Sequence, residues 1–400
     1  MSVSADEPSP SHGSSVSPYR PDVDGLRAIA ALSVVLAHGG WLPTGAFGVD
    51  VIFVISGFLI SGIILRELDK NTFSIADFYA RRVNRIFPAL MTLMLVVGLL
   101  GLVMLPSAER MKLGENIAVG AAFSINFWIY AANFSELVKL SQHLLTHLWT
   151  LGIEEQFYLL WPLTLWIASR RKISVLTTIL AATGISFISY VWMMSLNPSA
   201  AFFLPWNRLW ELALGGLLAC IQPSRLLAPA PNSGLLPENV QASAVLRPHS
   251  RRHLEMIGTA CLLVSLGGLL PLPSVGWYQA TSAVGSLLLI AAGPQGWISR
   301  HILSMRSLVL VGLFSYPLYL WHAPLFVFAD ILYIGDSWSD RYHAPIQVRI
   351  GVVVLSIFLS YFTYKYLERP IRSFKHSRKL AGILCVVMAF SAGAAYLFLA

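Results

Sequence analysis

The chain has 400 residues, of which 56% are hydrophobic and only 12% charged, with a formal charge of +8. That balance excludes a soluble globular protein and marks an integral membrane protein. Its three cysteines, Cys220, Cys261 and Cys385, each lie within an apolar run, so they form neither a disulfide scaffold nor a metal framework. The basic residues fall in short segments between hydrophobic stretches, which reads as a topology signal and not as a nucleic-acid surface.

Residues 1–19 are rich in Ser and Pro and hold no Lys or Arg, which predicts a disordered cytoplasmic tail and not a signal peptide. Apolar stretches near the ~20 residues needed to cross a bilayer then recur along the chain. Spans are expected near Leu26–Leu42, Phe47–Leu65, Ile86–Leu105, Leu148–Ala168, Ile173–Met194 and Trp206–Ile221. Five more are expected near Met256–Leu270, Gln279–Ala292, Leu308–Leu332, Ile346–Tyr366 and Ala381–Leu399.

A twelfth stretch, Asn116–Phe134, is interrupted by Asn126 and Asn133 and is expected to be re-entrant or interfacial. The reason is charge: Arg81, Arg82 and Arg85 and the later cluster Arg170, Arg171 and Lys172 must both face the cytoplasm, which leaves room for two crossings between them. With eleven spans and the N-terminus inside, 22 of the 28 lysines and arginines are cytoplasmic and 6 are external. Residues 222–255 then form a basic cytoplasmic loop, and residues 106–147 form the largest external element. The C-terminus faces outward, and a chain ending on the apolar run to Ala400 is expected to continue into a further external domain.

Ionisable side chains inside a bilayer cost ~2.5–3.5 kcal/mol each at mid-span, so each needs a reason. His38 lies eleven residues beyond Arg27, ~16 Å along a helix. If the following turn, Gly40–Ala46, is centred on Thr44, Asp50 returns at the same depth, and a His38–Asp50 pair is expected. Such a pair suits a general base that takes a proton from a hydroxyl. The structural alternative is a buried His bonded to a carbonyl, with Asp50 as a helix cap.

In HLWTLGIEEQFYLLWP, His147, Glu154 and Tyr158 share one helical face, with Glu155 and Gln156 pointing elsewhere. Arg208 and Glu211 are spaced for an intrahelical ion pair. In FSYPLYLWHAP, Ser315, Tyr319 and His322 share a face, and Pro317 and Pro324 are placed to kink the helix and free backbone carbonyls. Arg81, Arg82 and Arg85 offer forked donors for the phosphates of a nucleotide or coenzyme; the bland alternative is an anchor on anionic lipid. No phosphate-cradling glycine loop, zinc-ligand spacing or nucleophile elbow is present, which argues against an ATPase or a metal hydrolase.

The segments RPDVDGLRAIAALSVVLAH, GVDVIFVISGFLISGIIL, FYARRVNRIFPAL, HLWTLGIEEQFYLLWPL and GLFSYPLYLWHAPL followed by YKYLERPIR resemble, in order, the signatures of the acyltransferase 3 membrane family. The resemblance implies an all-α membrane domain of ten helices over residues 20–375, with residues 381–400 as an eleventh helix. It implies a membrane-bound O-acyltransferase of the bacterial inner membrane, taking an acetyl or other acyl group from cytoplasmic acetyl-CoA or another acyl-CoA. The acceptor would be an extracytoplasmic glycan such as lipopolysaccharide O-antigen, exopolysaccharide or peptidoglycan.

Carried onto this chain, the resemblance implies His38 as the catalytic group, with Arg27 beside it, Arg82 and Arg85 near the donor, and Glu154 and Glu155 as an acidic pair. Tyr319 and His322 fall in its SYPLYLWH segment. The wording of residues 66–90 resembles the subgroup whose membrane domain leads to an external SGNH esterase-like domain, absent from this sequence. The combined expectation is catalysis by His38, Asp50 and Glu154, donor binding by Arg27, Arg81, Arg82 and Arg85, and an acceptor side lined by His147, Glu155, Tyr319 and His322. No metal, permanently bound cofactor or nucleic-acid partner is expected. The rival reading is a proton-coupled transporter, in which intramembrane His and Glu form a relay; no inverted repeat between the halves supports it.

Overall fold

A computed structural model describes residues 19–132, 144–222, 248–334, 344–372, 374 and 377–399. Residues 1–18 of the expected tail (1–19), most of the basic loop, part of the external element and Ala400 lie outside the described residues. Among those described, the fold is entirely helical. Six helices are long and apolar enough to cross a membrane, or seven if one bent pair counts as a single span, so this is a multi-pass membrane protein.

Helix α1 (Pro21–His38) starts with proline, whose missing N–H costs nothing in a first turn. A 3-10 turn (Pro43–Phe47) reverses the chain into α2 (Gly48–Asp69). Helix α3 (Ile75–Met104) begins under the Ser74 side chain, which accepts from the Asp77 amide. Next come α4 (Ser107–Ala121) and the short α5 (Ile125–Ala131). A 3-10 turn (Thr146–Leu148) leads into α6 (Trp149–Arg170), and α7 (Val175–Leu196), α8 (Pro198–Phe203) and α9 (Pro205–Ile221) follow. The second half holds α10 (Pro248–Ser265), α11 (Val275–Ala292), α12 (Arg306–Leu313), α13 (Ser315–Ile334), α14 (Ile346–Phe362), α15 (Arg369–Arg372) and α16 (Ser377–Leu399). Each of the eleven stretches expected to span overlaps one of these helices.

Asn116–Phe134 is broken between α4 and α5, at residues 122–124 and not at Asn126, which lies within α5; Asn133 and Phe134 lie outside the described residues. Phe123 there adopts φ 53°, a conformation that a bulky side chain rarely tolerates. Neighbouring polar groups hold it: the Gln156 amide donates to the Phe123 carbonyl at 2.8 Å and to Asn126 Oδ1 at 2.9 Å, while Asn126 donates to the Phe203 carbonyl. Gln156 thus faces away from Glu154, as expected.

Three close helix pairs set the frame. Gly57 of α2 lies against the Leu212 carbonyl of α9, and Gly215 of α9 against the Val54 carbonyl of α2; a Cβ on either would fall within about 2 Å of that oxygen. Small residues at such a crossing let backbones approach where hydrophobic driving force between helices is absent. Contacts run from Asp50–Arg208 to Ser61–Gly216, so α2 and α9 are parallel. Helix α1 and the α12–α13 pair are parallel too, with contacts from Asp24–Gly312 to His38–His322. Helix α16 packs beside α3, tied at its start by a bidentate Arg378–Asp77 pair and by Asn84 donating to Ser377.

The expected kink in the ninth stretch is a 70° bend between α12 and α13, and it falls at Phe314, ahead of both prolines. Pro317 sits in the first turn of α13, where no intrahelical donor is lost, and Pro324 lies inside the helix.

Candidate functional site

A cavity of about 300 Å³ opens between α1, α2, α3, α6 and α13. One wall is apolar, with Val49, Ile52, Phe53, Ile60 and Ile86 among its residues. The other is heavily charged: Arg27 of α1, Arg82 and Arg85 of α3, and Glu154 and Glu155 of α6 all line it. Helical spacing explains the grouping. Thr150, Glu154 and Tyr158 follow at i, i+4 and i+8 on α6, and Arg82 and Arg85 at i and i+3 on α3.

The carboxylate of Glu154 accepts from the Ser56 hydroxyl at 2.8 Å. The Arg82 guanidinium lies over the rings of Tyr158 (5.3 Å) and Phe78 (5.7 Å). Arg27 keeps a loose 3.5 Å contact with Asp24. Among the described residues, neither Arg82 nor Arg85 makes an ion pair. Guanidinium groups gathered in this way are a ready receptor for an anionic ligand.

Arg81 departs from expectation. It points out of the cavity, half-exposed, and pairs with Glu67 at 2.8 Å, because one step along a helix rotates a side chain by ~100° from its neighbour. Glu155 also departs: it lines the same cavity as Glu154 and does not turn away.

Tyr319 also lines the cavity. Its hydroxyl is 2.5 Å from Thr150 Oγ1 and donates to the His147 carbonyl. Beyond it lies a cluster of three imidazoles. The Tyr319 ring is 5.4 Å from that of His147 and 5.7 Å from that of His322, and His322 is 4.8 Å from His38 at a near-perpendicular angle of 80°. His322 is fully buried, and His38 is half-buried at the last turn of α1. His147 stands on the 3-10 turn, one residue short of α6, so it faces the other histidines and not the Glu154 wall.

The expected His38–Asp50 pair is not formed. Asp50 is 2.7 Å from Arg208, and Arg208 is 3.2 Å from Glu211, so the expected ion pair of α9 is present with Asp50 as its third member. All three are at most 2% exposed, and Arg208 lies over Phe53, Phe202 and Trp149. The cause is the close α2–α9 crossing. Asp50 and Gly57 are seven residues apart on one face, so the face that meets α9 at Gly57 also delivers Asp50 to Arg208. Asp50 therefore braces the bundle and does not orient His38.

Three polar groups of the site escaped the sequence reading: Ser56, Thr150 and Tyr316. Thr150 was detectable, since it precedes Glu154 by four residues. Ser56 and Tyr316, which donates to the Ile86 carbonyl at 2.9 Å, carried no such signal.

Comparison with known proteins places this sequence in a family. A family described as an acyltransferase domain matches residues 20–365. Over 369 residues the chain is 29% identical to the O-acetyltransferase OatA of Staphylococcus aureus, covering 88% of this chain and 57% of that protein. A putative O-acetyltransferase of the same species is 30% identical with the same coverage. The chain thus spans about 57% of the length of the curated relatives it matches. No solved structure matches it. The matched region takes in the arginines of α3, the carboxylates of α6 and the histidines of α1 and α13, and on that ground the chain belongs to the acyltransferase 3 family.

Proposed function

We propose that this domain transfers an acetyl or related acyl group from a cytoplasmic acyl-CoA to a hydroxyl of an extracytoplasmic glycan. The observation that carries the reading is the set of guanidinium groups, Arg27, Arg82 and Arg85, gathered on a cavity inside an apolar bundle, two of them without a carboxylate partner among the described residues. Forked donors suit phosphate oxygens, and the apolar wall suits a pantetheine arm. The names of the relatives, which describe O-acetyl transfer, agree with an oxygen acceptor.

In this reading the coenzyme phosphates rest on Arg82 and Arg85, and the thioester extends past Tyr319 to His38. His38 accepts the proton of the acceptor hydroxyl, the oxygen bonds to the thioester carbonyl carbon, and the carbon–sulfur bond breaks. The coenzyme leaves as a thiolate and recovers that proton from His38, so nothing is consumed beyond the two substrates. Glu154, held by Ser56, and Glu155 balance the charge of the arginines. His147 and Tyr319 border the acceptor side.

The count of eleven spans is supported by helix direction, while the cytoplasmic placing of the Arg82 end of α3 rests on the charge rule. If every other expected span crosses, α2 and α9 run parallel only when the α4–α5 segment adds no net crossing. The α3–α16 and α1–α13 pairs meet the same parity.

The test is purified protein in detergent with acetyl-CoA and a soluble glycan oligomer, read as thiol release and ester formation. His38→Ala is expected to lower transfer by about 10²–10⁴-fold while coenzyme A still binds. Undiminished transfer by that variant would refute the assigned base.

A further inference from the structure

With Asp50 committed to Arg208, His38 has no carboxylate partner among the described residues, and the structure offers another group in its place. His38 Nδ1 is 3.0 Å from the Val34 carbonyl, and His322 Nδ1 is 3.0 Å from the Leu318 carbonyl. A carbonyl oxygen only accepts, so each Nδ1 must carry the proton; the opposite tautomer would set two lone pairs against two oxygens. Both Nε2 atoms then hold bare lone pairs. His322 Nε2 lies 3.4 Å from His38 Nδ1, so its lone pair faces the edge on which His38 bears its proton. The perpendicular arrangement of the rings agrees with one ring pointing a nitrogen at the edge of the other.

We propose that His322 is the positioning residue of His38: its Nε2 shares the His38 Nδ1–H with the Val34 carbonyl, which fixes the tautomer, leaves His38 Nε2 free to take the acceptor proton, and supports the imidazolium that forms. This inference rests on the reading of His38 as the base. It assigns to a neutral imidazole the work that a carboxylate does in a Ser-His-Asp triad. A neutral partner suits the location, since a second carboxylate here would need its own cation inside the bundle. The other titratable groups facing His322 are His147, from the turn before α6, and Tyr319 on its own helix. The same geometry gives the 70° bend a purpose. It lets α13 leave the line of α12 with His322 directed at the end of α1.

The experiment compares His322→Phe, which keeps a planar ring without an acceptor, with His322→Gln, whose amide oxygen can accept in place of Nε2. Thiol release from acetyl-CoA is followed against pH for both variants, with coenzyme A binding as the check on folding. His322→Phe should lower kcat by about 10- to 100-fold at nearly unchanged KM for acetyl-CoA, the scale on which orienting partners act. It should also move the acid limb of the pH–rate profile to lower pH, because an unsupported imidazolium loses its proton more readily. His322→Gln should recover most of kcat.

Wild-type kcat and pH profile in His322→Phe would overturn the proposal, and so would equal losses in both variants with an unshifted profile. Nitrogen-15 spectra of histidine-labelled wild-type protein add a check that needs no His322 variant. The His38 signal, assigned by its loss in His38→Ala, should report a neutral ring protonated at Nδ1; protonation at Nε2 alone would overturn the proposal. His38→Ala in the same assay separates the two claims. An inactive His38→Ala beside a normal His322→Phe defeats this inference alone, whereas a fully active His38→Ala defeats the base itself.

Discussion

Two of the arginine and carboxylate clusters among the described residues behave as opposites. At the α2–α9 crossing, one guanidinium sits between Asp50 and Glu211, at most 2% exposed and covered by aromatic rings. Between α3 and α6, three guanidinium groups and two carboxylates line an open cavity, and Arg82 and Arg85 have no ion-pair partner among the described residues. In the first cluster the guanidinium contacts both carboxylates and ties α2 to α9. In the second, Arg82 and Arg85 keep no direct carboxylate contact among the described residues, and guanidinium groups so placed inside an apolar bundle suit a ligand that brings its own anionic oxygens.

Substitutions can break this contrast. The largest effect is expected from Arg208→Leu, which strands two buried carboxylates and should cost about 3–5 kcal/mol of stability, read as a lowered unfolding midpoint in detergent. An equally stable variant would show that the sealed cluster is no brace. The smallest effect is expected at Arg81. Its half-exposed pair with Glu67 lies outside the cavity, so Arg81→Gln should change stability by less than about 1 kcal/mol and leave KM for acetyl-CoA within about twofold. A large rise in KM would move the donor site outward, toward the surface run of arginines.

Much of the frame was legible in the sequence because membrane helices obey simple rules of length and charge. The eleven apolar stretches overlap helices, and the break at Phe123 falls within the stretch that charge parity singled out. The facing of side chains was harder to read. The seven-residue spacing from Asp50 to Gly57 holds the information that Asp50 meets α9, but only once Gly57 is known to lie against Leu212 of a helix some 150 residues away. Depth alone matched Asp50 to His38, and depth says nothing about azimuth. Arg81 fails for the same reason: the arginines of ARRVNR are alike in type, but the helix turns each to a different side. His322 shows the converse, since its place on the face of Ser315 and Tyr319 was readable, but its contact with His38 depends on a bend at Phe314 that no proline marks.

The most direct test of the account is equilibrium binding of coenzyme A to wild-type protein and to the double variant Arg82→Gln, Arg85→Gln, both purified in detergent and matched for thermal stability. Charge-assisted contacts to phosphate are worth ~1.5–3 kcal/mol each, so loss of both should weaken binding by about 100-fold or more. Equal affinity in the two proteins would contradict the donor site and, with it, the reading of the cavity.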